Sequence, residues 1–220
     1  FGKIKEGFQT SPALADINDD GFTDFYLSGS RYYPGTMFMQ VSKGEFTIIE
    51  GPWIRDKEKE ELGSVFFDAD GDGDQDLYVV GGGNEYIFYS NDKKEEEYNK
   101  NLHDQIYINN GNGQFTNETP SRLPLMINSG QRVTAVDYDK DGDMDIVVGN
   151  RINPQSYPQA APSRLYMNEG GTFEDVSLEF APMLSDLGII NQVIATDFDG
   201  DGWEDLILAG EWTSIHLLKN

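Results

Sequence analysis

Sixteen oxygen-bearing side chains at a fixed spacing dominate the chemistry available to this chain. They lie in Asp16-Ile-Asn18-Asp-Asp20-Gly-Phe22-Thr-Asp24, Asp68-Ala-Asp70-Gly-Asp72-Gly-Asp74-Gln-Asp76, Asp137-Tyr-Asp139-Lys-Asp141-Gly-Asp143-Met-Asp145 and Asp197-Phe-Asp199-Gly-Asp201-Gly-Trp203-Glu-Asp205. All four follow D-x-(D/N)-x-D-G-x-x-D. Carboxylates this crowded repel one another unless a cation lies among them. The ligand set is oxygen only, with no Cys in the chain and no His in the loops. That set points to a hard ion, calcium ahead of magnesium. Side chains at loop positions 1, 3, 5 and 9 supply the oxygens, fifteen Asp and the single Asn18. The backbone carbonyl at position 7, on Phe22, Asp74, Asp143 or Trp203, is the natural fifth ligand, which leaves the residue type there free. Gly at position 6 permits the sharp turn. Four Ca²⁺ sites are expected.

The elements that must position these loops are strands. An EF-hand loop shares the first half of the pattern but needs Glu at position 12, where this chain has Leu27, Val79, Val148 and Leu208. Those residues sit in short apolar, β-branched or aromatic runs that read as strands rather than as an exiting helix. Ser64–Phe67, Arg132–Val136 and Gln192–Thr196 are strand-like on the entering side. Each loop is therefore the turn of a β-hairpin. A second hairpin follows the first three, in Thr36–Gln40 with Gly44-Glu45-Phe46, in Gln105–Asn109 with Gly113-Gln114-Phe115, and in Arg164–Asn168 with Gly171-Thr172-Phe173. The pair Asn110-Gly111 is the clearest of its turn signals.

Two hairpins per unit make a four-stranded antiparallel sheet. The loops begin at residues 16, 68, 137 and 197, at spacings of 52, 69 and 60. A sheet repeated at this period predicts an all-β β-propeller, one domain over 1–220, with units at 11–62, 63–129, 130–190 and 191–220 plus 1–10. The loops and the flanking L-Y-x-N-x-G-x-F hairpins resemble the FG-GAP/VCBS repeats of integrin-α-like propellers. Gln131 to Asn220, with Arg164-Leu-Tyr-Met-Asn-Glu-Gly-Gly-Thr-Phe173, is similar to bacterial secreted or surface proteins carrying these repeats. The resemblance implies calcium in the loops and about four blades in view. Two arrangements follow: a ring closed by pairing Phe1–Glu6 with Ser214–Asn220, or a segment of a larger, seven-bladed ring.

Composition narrows the partners. With 39 acidic against 16 basic residues the formal charge is −23, and four Ca²⁺ would leave about −15 by charge counting. That balance argues against nucleic acid and against an anionic membrane surface. No apolar run is long enough to insert in a membrane as a helix, and no signal peptide is visible within this chain. Oxygen sites of the extracellular kind, with Kd of about 10⁻⁴–10⁻³ M, fill only where calcium is abundant. Together with the resemblance, this predicts an extracellular or cell-surface setting.

If the acidic loops occupy one end of each sheet, the connections after the second strands emerge at the other. They vary in length and bring Arg31, Tyr32, Tyr33, Tyr86, Arg151, Tyr157 and Trp212 towards one rim. Arg and aromatic anchors on variable loops suit a protein or a glycan ligand, or, for Trp212, packing between blades. His103 and His216 lie in unrelated settings, and no nucleophile or phosphate motif appears, so no catalytic residue is assigned. The expected function is a non-enzymatic protein-interaction or adhesion module. The alternative is a carbohydrate-binding lectin module or a fragment of a polysaccharide-degrading enzyme.

Overall fold

In the computed structural model, which describes residues 12–84, 101–126 and 129–220, every sheet is antiparallel and built by neighbours in sequence. The first comprises β1 (Ala13–Ala15), β2 (Asp24–Leu27), β3 (Thr36–Ser42) and β4 (Glu45–Ile49). The second comprises β5 (Glu60–Phe67), β6 (Asp76–Gly82), β7 (Gln105–Asn109) and β8 (Phe115–Asn117). The third comprises β9 (Ser129–Val136), β10 (Asp145–Ile152), β11 (Arg164–Glu169) and β12 (Thr172–Asp175). The fourth has three strands, β13 (Ile189–Thr196), β14 (Asp205–Glu211) and β15 (His216–Leu218). These sheets are the blades one to four, and each acidic loop joins the first two strands of its own blade, as expected. Phe1–Glu6, expected to complete the fourth blade, and Tyr86 lie outside the described residues.

Several strands begin earlier than the sequence pattern indicates. β5 opens at Glu60 and β13 at Ile189, with register shifts between Glu61 and Gly63 and between Ile190 and Gln192. A bulge adds one residue and inverts the alternation, which hides the strand start from a period-two reading. β10 likewise runs on through register shifts to Ile152. Arg151, expected on a connecting loop, is consequently a half-buried strand residue.

The core lies between blades. At each of the three interfaces between these blades, the residue two places after the last loop Asp of one blade faces the residue one place after it in the next. Blade one presents Ala13, Tyr26, Met37 and Ile49 to Phe66, Leu77 and Tyr107 of blade two. Blade two presents Val65, Tyr78 and Ile106 to Ala135, Ile146 and Tyr166 of blade three. Blade three presents Val147 and Leu165 to Ala195, Leu206 and Leu218 of blade four. Each large apolar side chain buried this way stabilises the stack by roughly 1.5–3 kcal/mol. A 3-10 turn at Pro52–Asp56 connects blades one and two and drives Trp53 into their core, where its ring meets Tyr26, Tyr107 and Phe115 edge-on at 5.5–5.9 Å. The first strands pack in chain order, β1 on β5, β5 on β9 and β9 on β13. No comparable packing joins β13 to β1 among the described residues.

Candidate metal loops and the opposite rim

The ninth loop residue is the structural pivot of every unit. Asp24, Asp76, Asp145 and Asp205 each open a second strand and are buried. One carboxylate oxygen accepts the backbone N–H of the second loop residue, Ile17, Ala69, Tyr138 or Phe198, at 2.9–3.2 Å. The other accepts an N–H from the third strand or just beyond it, on Gln40, Asn109, Asn168 or Asn220, at 2.7–2.9 Å. The same Asp thus ties the loop to the sheet in all four units. Burial pushes the carboxyls of Asp76 and Asp145 up to about 7 and about 6, against the pull of those N–H donors.

The remaining positions divide the work. Position 1 folds the loop over itself: Asp16 accepts from Asp20 and Gly21, Asp68 from Gly71 and Gly73, and Asp197 from Gly200, Asp201 and Gly202. At position 5, Asp20, Asp72, Asp141 and Asp201 each accept the N–H of the position-7 residue at 2.8–2.9 Å. The position-7 side chains of the third and fourth loops make contacts of their own. The Asp143 carboxylate accepts from the Gly170 N–H, and Lys140 of the third loop lies 4.0 Å above the Trp203 ring of the fourth. Phe22 and Asp74 occupy the same position in the first two loops.

Positions 1, 3 and 9 bring ligand oxygens within 4.8 Å of one another in three loops: Asp68, Asp70 and Asp76; Asp137, Asp139 and Asp145; and Asp197, Asp199 and Asp205. In the first loop Asn18 holds position 3, and its amide N–H₂ donates to Asp20. Buried oxygens without a hydrogen-bond partner remain at Asn18 Oδ1, Asp70 Oδ1 and Asp137 Oδ1. An orphaned acceptor costs about 1–3 kcal/mol, and a cation among these oxygens would remove that cost. The residues present therefore fit a hard divalent ion. Two basic groups already reach the loops: Arg122 pairs with Asp70 at 3.0 Å, and Lys219 bonds both Asp199 and Asp201.

Sequence reasoning missed how the loops join the blades. The Asn at the end of the third strand donates to the second-residue carbonyl of the preceding unit's loop. Asn109 reaches Ile17 O at 2.8 Å, Asn168 reaches Ala69 O at 2.9 Å and Asn220 reaches Tyr138 O at 2.7 Å. Asn109 and Asn168 also hold the eighth-residue carbonyl of their own loops. The signal was present as the Asn of the repeated Tyr-x-Asn, but its partner lies in another blade.

At the opposite rim the bonds between units differ from one unit to the next. The Trp212 indole N–H donates to the Tyr157 hydroxyl at 3.2 Å, linking the third and fourth units, and both side chains remain exposed, Trp212 at 83%. Trp212 therefore does not pack between blades. Asn84 Oδ1 accepts the Gln155 N–H at 2.6 Å, linking the second unit to the third. In the first unit Tyr32 and Tyr33 are exposed and the Arg31 guanidinium lies 5.1 Å from the Tyr32 ring centre. Tyr32, Gln155 and Trp212 all hold positive φ, between 59° and 71°. Non-glycine residues hold that conformation only where the surroundings impose it. Beneath this rim, Glu61 is buried against the Tyr26 hydroxyl at 2.8 Å and the Gly29 N–H at 2.6 Å, and burial raises its carboxyl to about 7. Asp104, buried against Tyr78 and Gly81, is raised in the same way.

Comparison with known proteins agrees with the repeated geometry. No curated protein matches the sequence significantly. The model of the FG-GAP-like repeat matches residues 16–79 and 68–148, which covers the first three acidic loops. Residues 149–220 lie beyond those matches, yet the fourth loop carries the same carboxylate-to-backbone bonds as the others. The chain belongs to the FG-GAP-like repeat family.

Proposed function

We propose that this chain is a non-enzymatic interaction module of the extracellular space or cell surface, stapled by Ca²⁺ in four loops and binding a protein at the opposite rim. FG-GAP repeats suggest a β-propeller module often used for interaction, and the acidic clusters suit a metal ion. The observation that carries the reading is the Tyr157–Trp212 pair, two exposed aromatics bonded across units, with Trp212 held at positive φ. Rigid exposed aromatics are the usual anchors of a binding surface. The rim loops differ from unit to unit, which favours one extended protein ligand over several equal sugar pockets. A glycan is the second reading, because the exposed indole face of Trp212 suits stacking on a sugar ring.

Calcium's role in this reading is to hold the turns. The side chains at positions 1, 3, 5 and 9, with the backbone carbonyl at position 7, would ligate it, and the ion would supply the positive charge that lets these carboxylates stay ionised side by side. Weak sites of this kind fill outside the cell rather than in the cytosol. Calorimetric titration with Ca²⁺, a thermal melt with and without chelator, and capture of surface proteins alongside a glycan array test the whole. Expected are heat from Ca²⁺ binding, a melting temperature lowered by many degrees in chelator, and ligand capture lost in the Trp212→Ala, Tyr157→Ala double variant at unchanged melting temperature. A melt indifferent to chelator removes calcium from the reading. Ligand binding untouched by the double variant moves the site elsewhere.

A further inference from the structure

The four acidic loops are alike in their own residues but not in what the neighbouring strand brings to them. The third strands align through the pairs Phe25–Phe38, Leu77–Tyr107, Ile146–Tyr166 and Leu206–Leu218. The next residue along is Met39, Ile108 and Met167 in blades one to three, and Lys219 in blade four. In blade one this side chain meets the loop of its own blade, where Met39 Sδ accepts from the Asn18 amide at 3.6 Å. In blade four an ammonium takes the same place and donates to Asp199 and, at 2.9 Å, to Asp201. Those are loop positions 3 and 5, two of the four side-chain positions that a metal ion would use.

The other basic groups near the loops are placed differently. Arg122 pairs with Asp70 alone, at position 3 of the second loop, and is itself held by Glu118 and by Gly171 O. It is only 17% exposed, and Asp70 Oδ1 stays without a partner, so Arg122 braces this carboxylate while leaving an oxygen open to a cation. Lys140 lies over the Trp203 ring rather than on a carboxylate. Among the described residues no Lys or Arg pairs with a carboxylate of the third loop. Lys219 is 55% exposed, and its flexible stem can carry the ammonium out to water.

We propose that Lys219 is the fourth loop's internal cation, competing with calcium for Asp199 and Asp201 and setting the calcium affinity of this loop below that of the third. An ammonium and a divalent ion cannot share the same two carboxylates, because like charges at contact distance repel. Calcium therefore enters the fourth loop only as Lys219 leaves, and the lost ion pair is subtracted from the binding free energy. While calcium is scarce, the lysine offsets part of the carboxylate repulsion and holds the loop in its folded form. Blade four thus answers to calcium in a range where the third loop is already occupied. The inference rests on the calcium reading of the proposed function and adds the residue that grades the sites.

Nuclear magnetic resonance of the isotopically labelled full chain tests it, with the amides of the position-6 glycines, Gly142 and Gly202, reporting the third and fourth loops separately. Free calcium is lowered stepwise from saturation with a chelator, so that the chain starts folded. Gly202 is expected to leave its calcium-bound position at a free calcium about three- to tenfold higher than Gly142 does. Lys219→Met installs the residue that blades one and three carry in this register; it is expected to lower the Gly202 midpoint by a similar factor and to leave Gly142 where it was. Lys140→Met removes an equal charge near the same loop without touching a ligand carboxylate, and is expected to move Gly202 by less than about twofold. Coincident midpoints in the wild type overturn the inference and leave calcium in the loops. So does a Gly202 midpoint that Lys219→Met leaves unmoved, or that Lys140→Met moves as far. Resonances indifferent to calcium at both glycines remove the calcium reading and this inference with it.

Discussion

The two ends of the blades hold buried carboxylates in opposite ways. At the acidic-loop end the arrangement is copied unit after unit: the ninth-position Asp of all four loops takes one N–H from its own loop and one from the third strand or its end. At the rim end, Glu61 and Asp104 are buried against tyrosine hydroxyls and single N–H groups around blades one and two. The loops beside them differ in length and in exposed residues. A bond repeated in every unit serves the repeat itself, because each blade must solve the same folding problem. A feature found in one or two units is available for a task particular to this protein. That contrast is why we propose the loop end as scaffold and the rim as the place for a ligand.

The largest expected effect breaks the scaffold end. Asp76→Ala removes one oxygen of the proposed metal cluster and leaves the Ala69 and Asn109 N–H groups buried without an acceptor, at about 1–3 kcal/mol each. Denaturant unfolding is expected to show a loss of roughly 3–5 kcal/mol with calcium present. A loss below about 1 kcal/mol would show that the repeated bonds are ornament rather than scaffold.

A smaller effect tests the rim-end carboxylates. Glu61 has its folded pKa raised from 4.5 to about 7, so between those values the native chain holds a proton that the unfolded chain has released. Stability from this group is therefore full below pH 4.5 and is lost as pH rises through 7, by up to about 3 kcal/mol. Asp56, Lys59 and Tyr26 are the charged or titratable groups acting on it. With calcium saturating, the melting temperature is expected to fall from pH 5 to pH 8, and Glu61→Gln to flatten that fall. An equal slope in the variant would leave Asp104 or another group as its source.

The smallest effect concerns the link between units. Asn168→Ala loses donations to Ala69 O and Met144 O and the bond accepted from the Gly171 N–H. The expected cost is about 2 kcal/mol. Hydrogen exchange sharpens the comparison: protection should drop at the second and third acidic loops while the rim around Tyr157 and Trp212 keeps its exchange rates. Loss of protection at both ends alike would mean that the latch holds the whole blade rather than its loop end.

Much of the fold was legible because its signals are local. The loop pattern placed the first hairpin turn of every unit, and Ser64–Phe67 and Gln192–Thr196 were readable as strands from their β-branched and aromatic residues. The bulges at Glu61–Gly63 and Ile190–Gln192 were not, since an added residue inverts the alternation on which the reading depends. Arg151 was misplaced onto a loop for the same reason. In the candidate site, the oxygen ligands were visible as composition and spacing. The second role of Asp24, Asp76, Asp145 and Asp205, as acceptors for third-strand N–H groups, depends on a strand up to 33 residues away and has no local mark.

By itself the sequence determined the repeat, the four acidic turns and the antiparallel hairpins, because turn chemistry and side-chain alternation act between near neighbours. Only the tertiary structure decided which row of each blade faces which neighbour, that Asn109, Asn168 and Asn220 tie each unit to the loop before it, and that Trp212 stands exposed on Tyr157. Those outcomes are settled by the stacking of whole sheets, where contacts span about a hundred residues and side-chain direction matters as much as residue type.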